Sequence, residues 1–162
     1  MNFKRIISIF IMGLLLSACA SKEYVQQDSA YIIFKTPTFK YADMGFIYEN
    51  EEEMKIEIYS SGQALISLEI SETSICMSLL ECMSKNAFNK EVLSAMYPED
   101  ILENIFRGRP LLHGTGLEKK GDGFTQKIVK TDKYNIDYSV LNKQIIFRDT
   151  INSILIQVKK QY

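Results

Sequence analysis

The chain has 162 residues, a formal net charge of −1, a single histidine and three cysteines. That balance excludes a strong field for nucleic acid or anionic head groups, and one histidine with few cysteines does not make the usual four-ligand metal set. A hydrophobic share of 46% excludes a wholly disordered chain, and the length suits one domain.

Met1-Asn2-Phe3-Lys4-Arg5 is positively charged. Ile6 to Leu16 is apolar, broken only by Ser8 and Gly13, and small Ser17 and Ala18 precede Cys19. A charged start, a short apolar run and a small-residue cleavage site define a secretory signal peptide over residues 1–18. The run falls well short of the roughly 20 apolar residues that span a bilayer as a helix. Removing the first 18 residues leaves 144, with 17 basic against 20 acidic side chains, a mature charge of −3.

Leu16-Ser17-Ala18-Cys19 resembles the lipobox of bacterial lipoprotein precursors. The resemblance implies a thioether-linked diacylglyceryl group on Cys19, which becomes the mature N-terminus, and N-acylation with a palmitate-type chain in many bacteria. It implies a cell-envelope location. Ala20 stands where an aspartate favours inner-membrane retention in enteric-type lipoproteins, so the outer membrane is the expected destination. Two or more chains anchor a protein stably, at about 0.8 kcal/mol per buried methylene.

Cys76 and Cys82 remain. In an oxidising compartment a disulfide between them is favoured over two buried thiols. With Cys76 ending a strand and Cys82 opening a helix, the bridge would pin that junction.

The lipidated N-terminus and polar residues 19–30 read as a tether, and residues 31–162 as one domain. Tyr31-Ile32-Ile33-Phe34-Lys35 is a strand, and Gly45-Phe46-Ile47-Tyr48 a short one. Residues 49–53 (ENEEE) read as a solvated turn. Met54 to Tyr59 and Ala64 to Ile70 alternate apolar and polar residues around Ser60-Ser61-Gly62-Gln63, a β-hairpin with one buried face. Residues 74–83 fit a strand or the start of a helix. Phe88, Val92, Leu93 and Met96 fall at helical spacing. Pro98, Glu99 and Asp100 then open a second helix whose stripe is Ile101, Leu102, Ile105 and Phe106, with Arg107 near its end and Gly108 past it. Leu111-Leu112-His113 suggests a strand and residues 118–123 a turn. Four strand-like runs follow at 124–131, 134–140, 144–148 and 153–159. The fold class is mainly β (α+β). One curved antiparallel sheet or unclosed β-barrel carries two short helices on its apolar face.

No catalytic constellation is visible, so an enzyme is not expected, and no cofactor is implied. His113 precedes Gly114-Thr115-Gly116, but no phosphate-binding motif surrounds it. No serine sits in a nucleophile elbow. Arg107 and Arg109 could bind an anion, although capping a helix C-terminus explains Arg107. A cavity between sheet and helices would suit an apolar ligand. Its expected lining is Ile56, Ile58, Ile66 and Leu68 in the first strand group and Ile136, Tyr138, Ile154 and Ile156 in the second. Ile101, Ile105 and Phe106 would form a helical lid. The alternative is a closed core.

Lipidation at Cys19, the domain size and the order strands, helices, strands resemble the outer-membrane lipoprotein receptor LolB and its periplasmic relative LolA. That family is an unclosed β-barrel lidded by helices that passes acylated lipoproteins to the outer membrane. The resemblance implies acyl chains of lipoproteins as the ligand. Only Cys19 carries over as a functional residue, because acidic ENEEE stands where the family's apolar membrane-touching loop is expected. The other expectation is a non-catalytic structural or interaction lipoprotein, bound to envelope proteins or displayed as a surface antigen.

Overall fold

A computed structural model describes residues 24–78 and 80–161. The expected signal peptide over residues 1–18 and the expected lipidation site Cys19 lie outside the described residues. Period-two alternation produces strands wherever one face can be buried. These are β1 (Gln26–Lys35), β2 (Lys40–Glu49), β3 (Met54–Ser60), β4 (Gln63–Ile70), β5 (Ser74–Met77) and β6 (Leu80–Ser84), then β7 (Leu117–Lys120), β8 (Gly123–Lys130), β9 (Tyr134–Leu141), β10 (Gln144–Asp149) and β11 (Ile154–Lys160). Between β6 and β7 lie α1 (Lys85–Val92) and α2 (Ile101–Arg107).

All eleven strands form one antiparallel sheet in the order β6-β5-β4-β3-β2-β1-β11-β10-β9-β8-β7. Neighbours in sequence are neighbours in space, and β1 with β11 joins the two halves, Ile32 opposite Val158. The edges β6 and β7 stay unpaired with each other, and the connection between them carries both helices.

Burial shows that the sheet is strongly curved. Laid flat, eleven strands would be roughly 48 Å wide, and two short helices roughly 10 Å thick could not cover that width. Yet inward residues from nine strands share one core with the helices, from Ile75 and Met77 on β5 to Ile128 on β8. The sheet must wrap so that its apolar face packs on itself and on the helices.

The C-terminal strands and the hairpin of β3 and β4 lie close to the expected positions. Elsewhere the boundaries move. β1 begins at Gln26, so residues 26–30 are strand rather than tether, held by a ladder in which Gln26 faces Glu49 and Ala30 faces Gly45. Ala30 is fully buried. Cys76 and Cys82 are bridged, with Cα atoms 4.0 Å apart. The bridge joins β5 to β6, two strands rather than a strand and a helix. α1 ends at Val92, before the expected stripe is complete, and Met96 is exposed. Pro98 precedes α2, its carbonyl accepting from Ile101 N. Gly108 stops α2 in the left-handed region at φ 66°, where a side chain would be strained. Residues 112–114 form a 3-10 turn instead of a strand. Leu117–Lys120 is an edge strand where a turn was expected, its charged side chains suiting an edge.

Candidate functional site

The apolar inner face is built by alternation on either side of the sheet's midline. β3 and β4 supply Ile56, Ile58, Ile66 and Leu68, and β9 and β11 supply Ile136, Tyr138, Ile154 and Ile156. Ile101, Ile105 and Phe106 descend from α2. The structure thus brings all eleven expected lining residues into one cluster. It does not arrange them around free space. Each is at most 2% exposed, whereas a side chain lining a water-sized void keeps accessible surface. The expected cavity is therefore a filled core, closed by interdigitation. Phe106 meets Phe34 with ring centroids 6.5 Å apart. Tyr97 and Tyr138 each pack against Phe147, at 6.0 and 6.4 Å.

Polar contacts fasten the helices at both ends. Arg107 is only 5% exposed. Its Nε donates to Glu103 Oε1 at 3.0 Å, one helical turn back. Its Nη1 donates to Glu49 Oε2 at 3.2 Å and to the Asn50 carbonyl at 2.9 Å, and its Nη2 to the Glu53 carbonyl at 3.4 Å. The acidic turn between β2 and β3 is thus a docking point for α2. Asn50 shapes that turn by accepting from Glu52 N and Glu53 N. Lys85 Nζ, on α1, lies 2.9 Å from Glu103 Oε2 and links the two helices. Burial pushes the Glu103 carboxyl up, but Lys85 and Arg107 outweigh it and hold the group below its ordinary value.

At the other end Tyr97 donates its hydroxyl to Asp149 Oδ2. Burial raises Asp149, while Tyr97, Asn152 and the Asn135 backbone N–H prevail and keep it low. The Tyr97 phenol is driven well up, first by burial and then by Asp149. Beyond α2, buried Gln126 accepts from Leu111 N at 2.8 Å and donates to the Leu111 and Thr115 carbonyls at 3.0 and 2.9 Å. One contact is incomplete. Asn89, 1% exposed, donates to the Pro98 carbonyl at 2.8 Å, and its buried Oδ1 has no hydrogen-bond partner among the described residues.

Arg107 thus does more than cap a helix, and it is not an open anion site, because its donors are engaged by carboxylates and carbonyls. Arg109 beside it is exposed. His113 is exposed on the 3-10 turn at φ 56°. Among the described residues no group of His, Cys, Asp and Glu could hold a metal ion, and no helix is long and apolar enough to cross a membrane. Sequence reasoning missed the Arg107 clamp and the Tyr97–Asp149 pair. The spacing of Glu103 and Arg107 was a visible signal for one limb of the clamp.

Compared with protein-family models and with curated proteins, the chain matches none.

Proposed function

We propose that this chain is a lipid-anchored lipoprotein of the bacterial outer membrane whose domain binds acyl chains by exchanging them for its own helices, as a LolB-like module. The observation that supports it is one apolar sheet face shared by nine strands, in a sheet whose edges β6 and β7 are unpaired among the described residues, and whose helical cover belongs to the single connection between those edges. Because the core is filled, the ligand takes the place of α1 and α2 rather than entering a preformed cavity. Cys19 supplies the anchor.

Amide hydrogen exchange on the mature protein, with and without a triacylated lipopeptide, tests the exchange. Residues 85–107 are expected to exchange faster with lipopeptide while β3, β4 and β9 stay protected. Unchanged helices with bound lipopeptide would refute it. Cys19→Ala tests the anchor separately: it is expected to abolish acyl labelling and membrane retention.

The filled core itself favours a second reading, a non-catalytic interaction lipoprotein of an envelope complex. Depletion followed by membrane fractionation separates the two. Normal delivery of other lipoproteins to the outer membrane supports the second reading.

A further inference from the structure

The outer face of the sheet carries an aromatic patch that the ligand reading does not use. Met44 on β2 faces Tyr31 on β1, and they are 43% and 36% exposed. Phe46 and Tyr48 continue the same face of β2 at a spacing of two. Tyr59 on β3 packs edge-on against Phe46 with centroids 5.7 Å apart. Tyr24 packs on Tyr48, also at 5.7 Å. The charges within the patch cancel, because Lys55 Nζ lies 2.7 Å from Glu57 Oε1 and 6.0 Å from the centre of the Tyr48 ring.

Tyr24 is also where the described chain begins, five residues after Cys19. Whatever its conformation, that stretch reaches at most roughly 18 Å. A ten-residue strand such as β1 is roughly 33 Å long, so the anchor cannot hold the domain one strand-length from the bilayer. The neighbouring turn presents exposed Glu51 and Glu52, which an anionic bilayer repels. Aromatic rings with a polar tip instead suit the head-group region.

We propose that the outer face of β1 to β3, from Tyr24 to Tyr31 and Tyr59, lies on the phospholipid surface that holds the acyl chains of Cys19. The inference rests on the lipid-anchor reading. A tethered surface needs little affinity, because a short linker raises the effective concentration to about the millimolar range.

The chain contains no tryptophan, so a single one reports its own surroundings. Met44→Trp is placed in the patch. Val129→Trp is placed on β8, five strands round the sheet, at a residue 63% exposed. Each full-length protein is expressed, processed in a bacterium and reconstituted in phosphatidylethanolamine–phosphatidylglycerol vesicles doped with lipid brominated near the head group. Mass spectrometry of the same samples reads acylation. The expected result is a blue-shifted Met44→Trp emission that loses more than half its intensity to brominated lipid, while Val129→Trp is unchanged. Tyr31→Trp, on the facing strand, is expected to repeat the Met44→Trp result. Acylated protein with neither patch tryptophan quenched overturns this face alone. Protein without acyl mass overturns both this inference and the anchor. A concentration-dependent blue shift in detergent, without quenching in vesicles, overturns the inference in favour of a second copy.

Discussion

Arg107→Ala is the sharpest test of how the helices are held. The substitution removes a guanidinium 5% exposed, whose partners Glu103 and Glu49 are 18% and 20% exposed. Breaking a buried pair by deleting one partner costs about 3–5 kcal/mol. The lower end applies, because Glu103 keeps Lys85 at 2.9 Å and Glu49 can gain some water. A loss of about 3 kcal/mol lowers Tm by roughly 10 °C in a domain of this size. Circular dichroism against temperature and urea reads it. A double-mutant cycle with Glu49→Ala separates the docking limb from the helical one, with an expected coupling of about 1–2 kcal/mol. A loss under about 0.5 kcal/mol, the range of ordinary surface substitutions, would show that Arg107 is only a solvated cation at a helix end and would refute the clamp.

Three further outcomes follow from the same contacts. Cys76→Ser with Cys82→Ser opens a small loop and is expected to cost about 2 kcal/mol, read from the urea midpoint; an unchanged midpoint would deny the bridge a stabilising role. Glu103 and Asp149 are both held below their ordinary values of 4.5 and 3.8. Their charged forms are favoured by folding, so their contribution is complete above about pH 4.5 and is lost as pH falls through the lowered folded values. Thermal scans from pH 7 to 3 are expected to be flatter in Glu103→Gln below that point, and an equal slope would remove Glu103 from the account. Gly45→Ala would place a Cβ on the Glu57 carbonyl of the facing strand and against Ile32 Cδ1. It is expected to cost at least 1–3 kcal/mol, and a wild-type urea midpoint would contradict that close approach.

The parts of the fold that local chemistry encodes were readable. Met54, Ile56 and Ile58 alternate because one face is buried, and Gly108 stops α2 because a left-handed residue is needed there. β1 was read short because Gln26, Gln27, Asp28 and Ser29 carry no apolar alternation. Their order comes from pairing with β2, whose partner residues lie about 20 positions away in the chain. β7 was missed because an edge strand keeps its side chains in water. The Arg107 clamp depends on Glu49, 58 residues distant, and no local pattern reports that. The eleven residues expected to line a cavity all lie in one buried cluster. Whether space remains between them is a property of packed volume, which periodicity does not carry.

That filled volume constrains any ligand. Phe88, Val92, Leu93, Ile101, Leu102, Ile105, Phe106 and Leu111 on the helical connection are at most 8% exposed. Returning these eight side chains to water would cost roughly 12–24 kcal/mol, more than much of the 5–15 kcal/mol that stabilises a typical domain. The helices therefore do not swing away unaided. A sixteen-carbon acyl chain, with about 15 methylene and methyl carbons, contributes about 12 kcal/mol on the same face at about 0.8 kcal/mol each. One chain reaches only the lower bound of the opening cost, while two or three span the range. Palmitate is thus expected to leave residues 85–107 protected from hydrogen exchange, and diacylated or triacylated lipopeptides to deprotect them. Equal deprotection by palmitate would break the link between chain number and opening, and with it the idea that the ligand replaces the helices side chain for side chain.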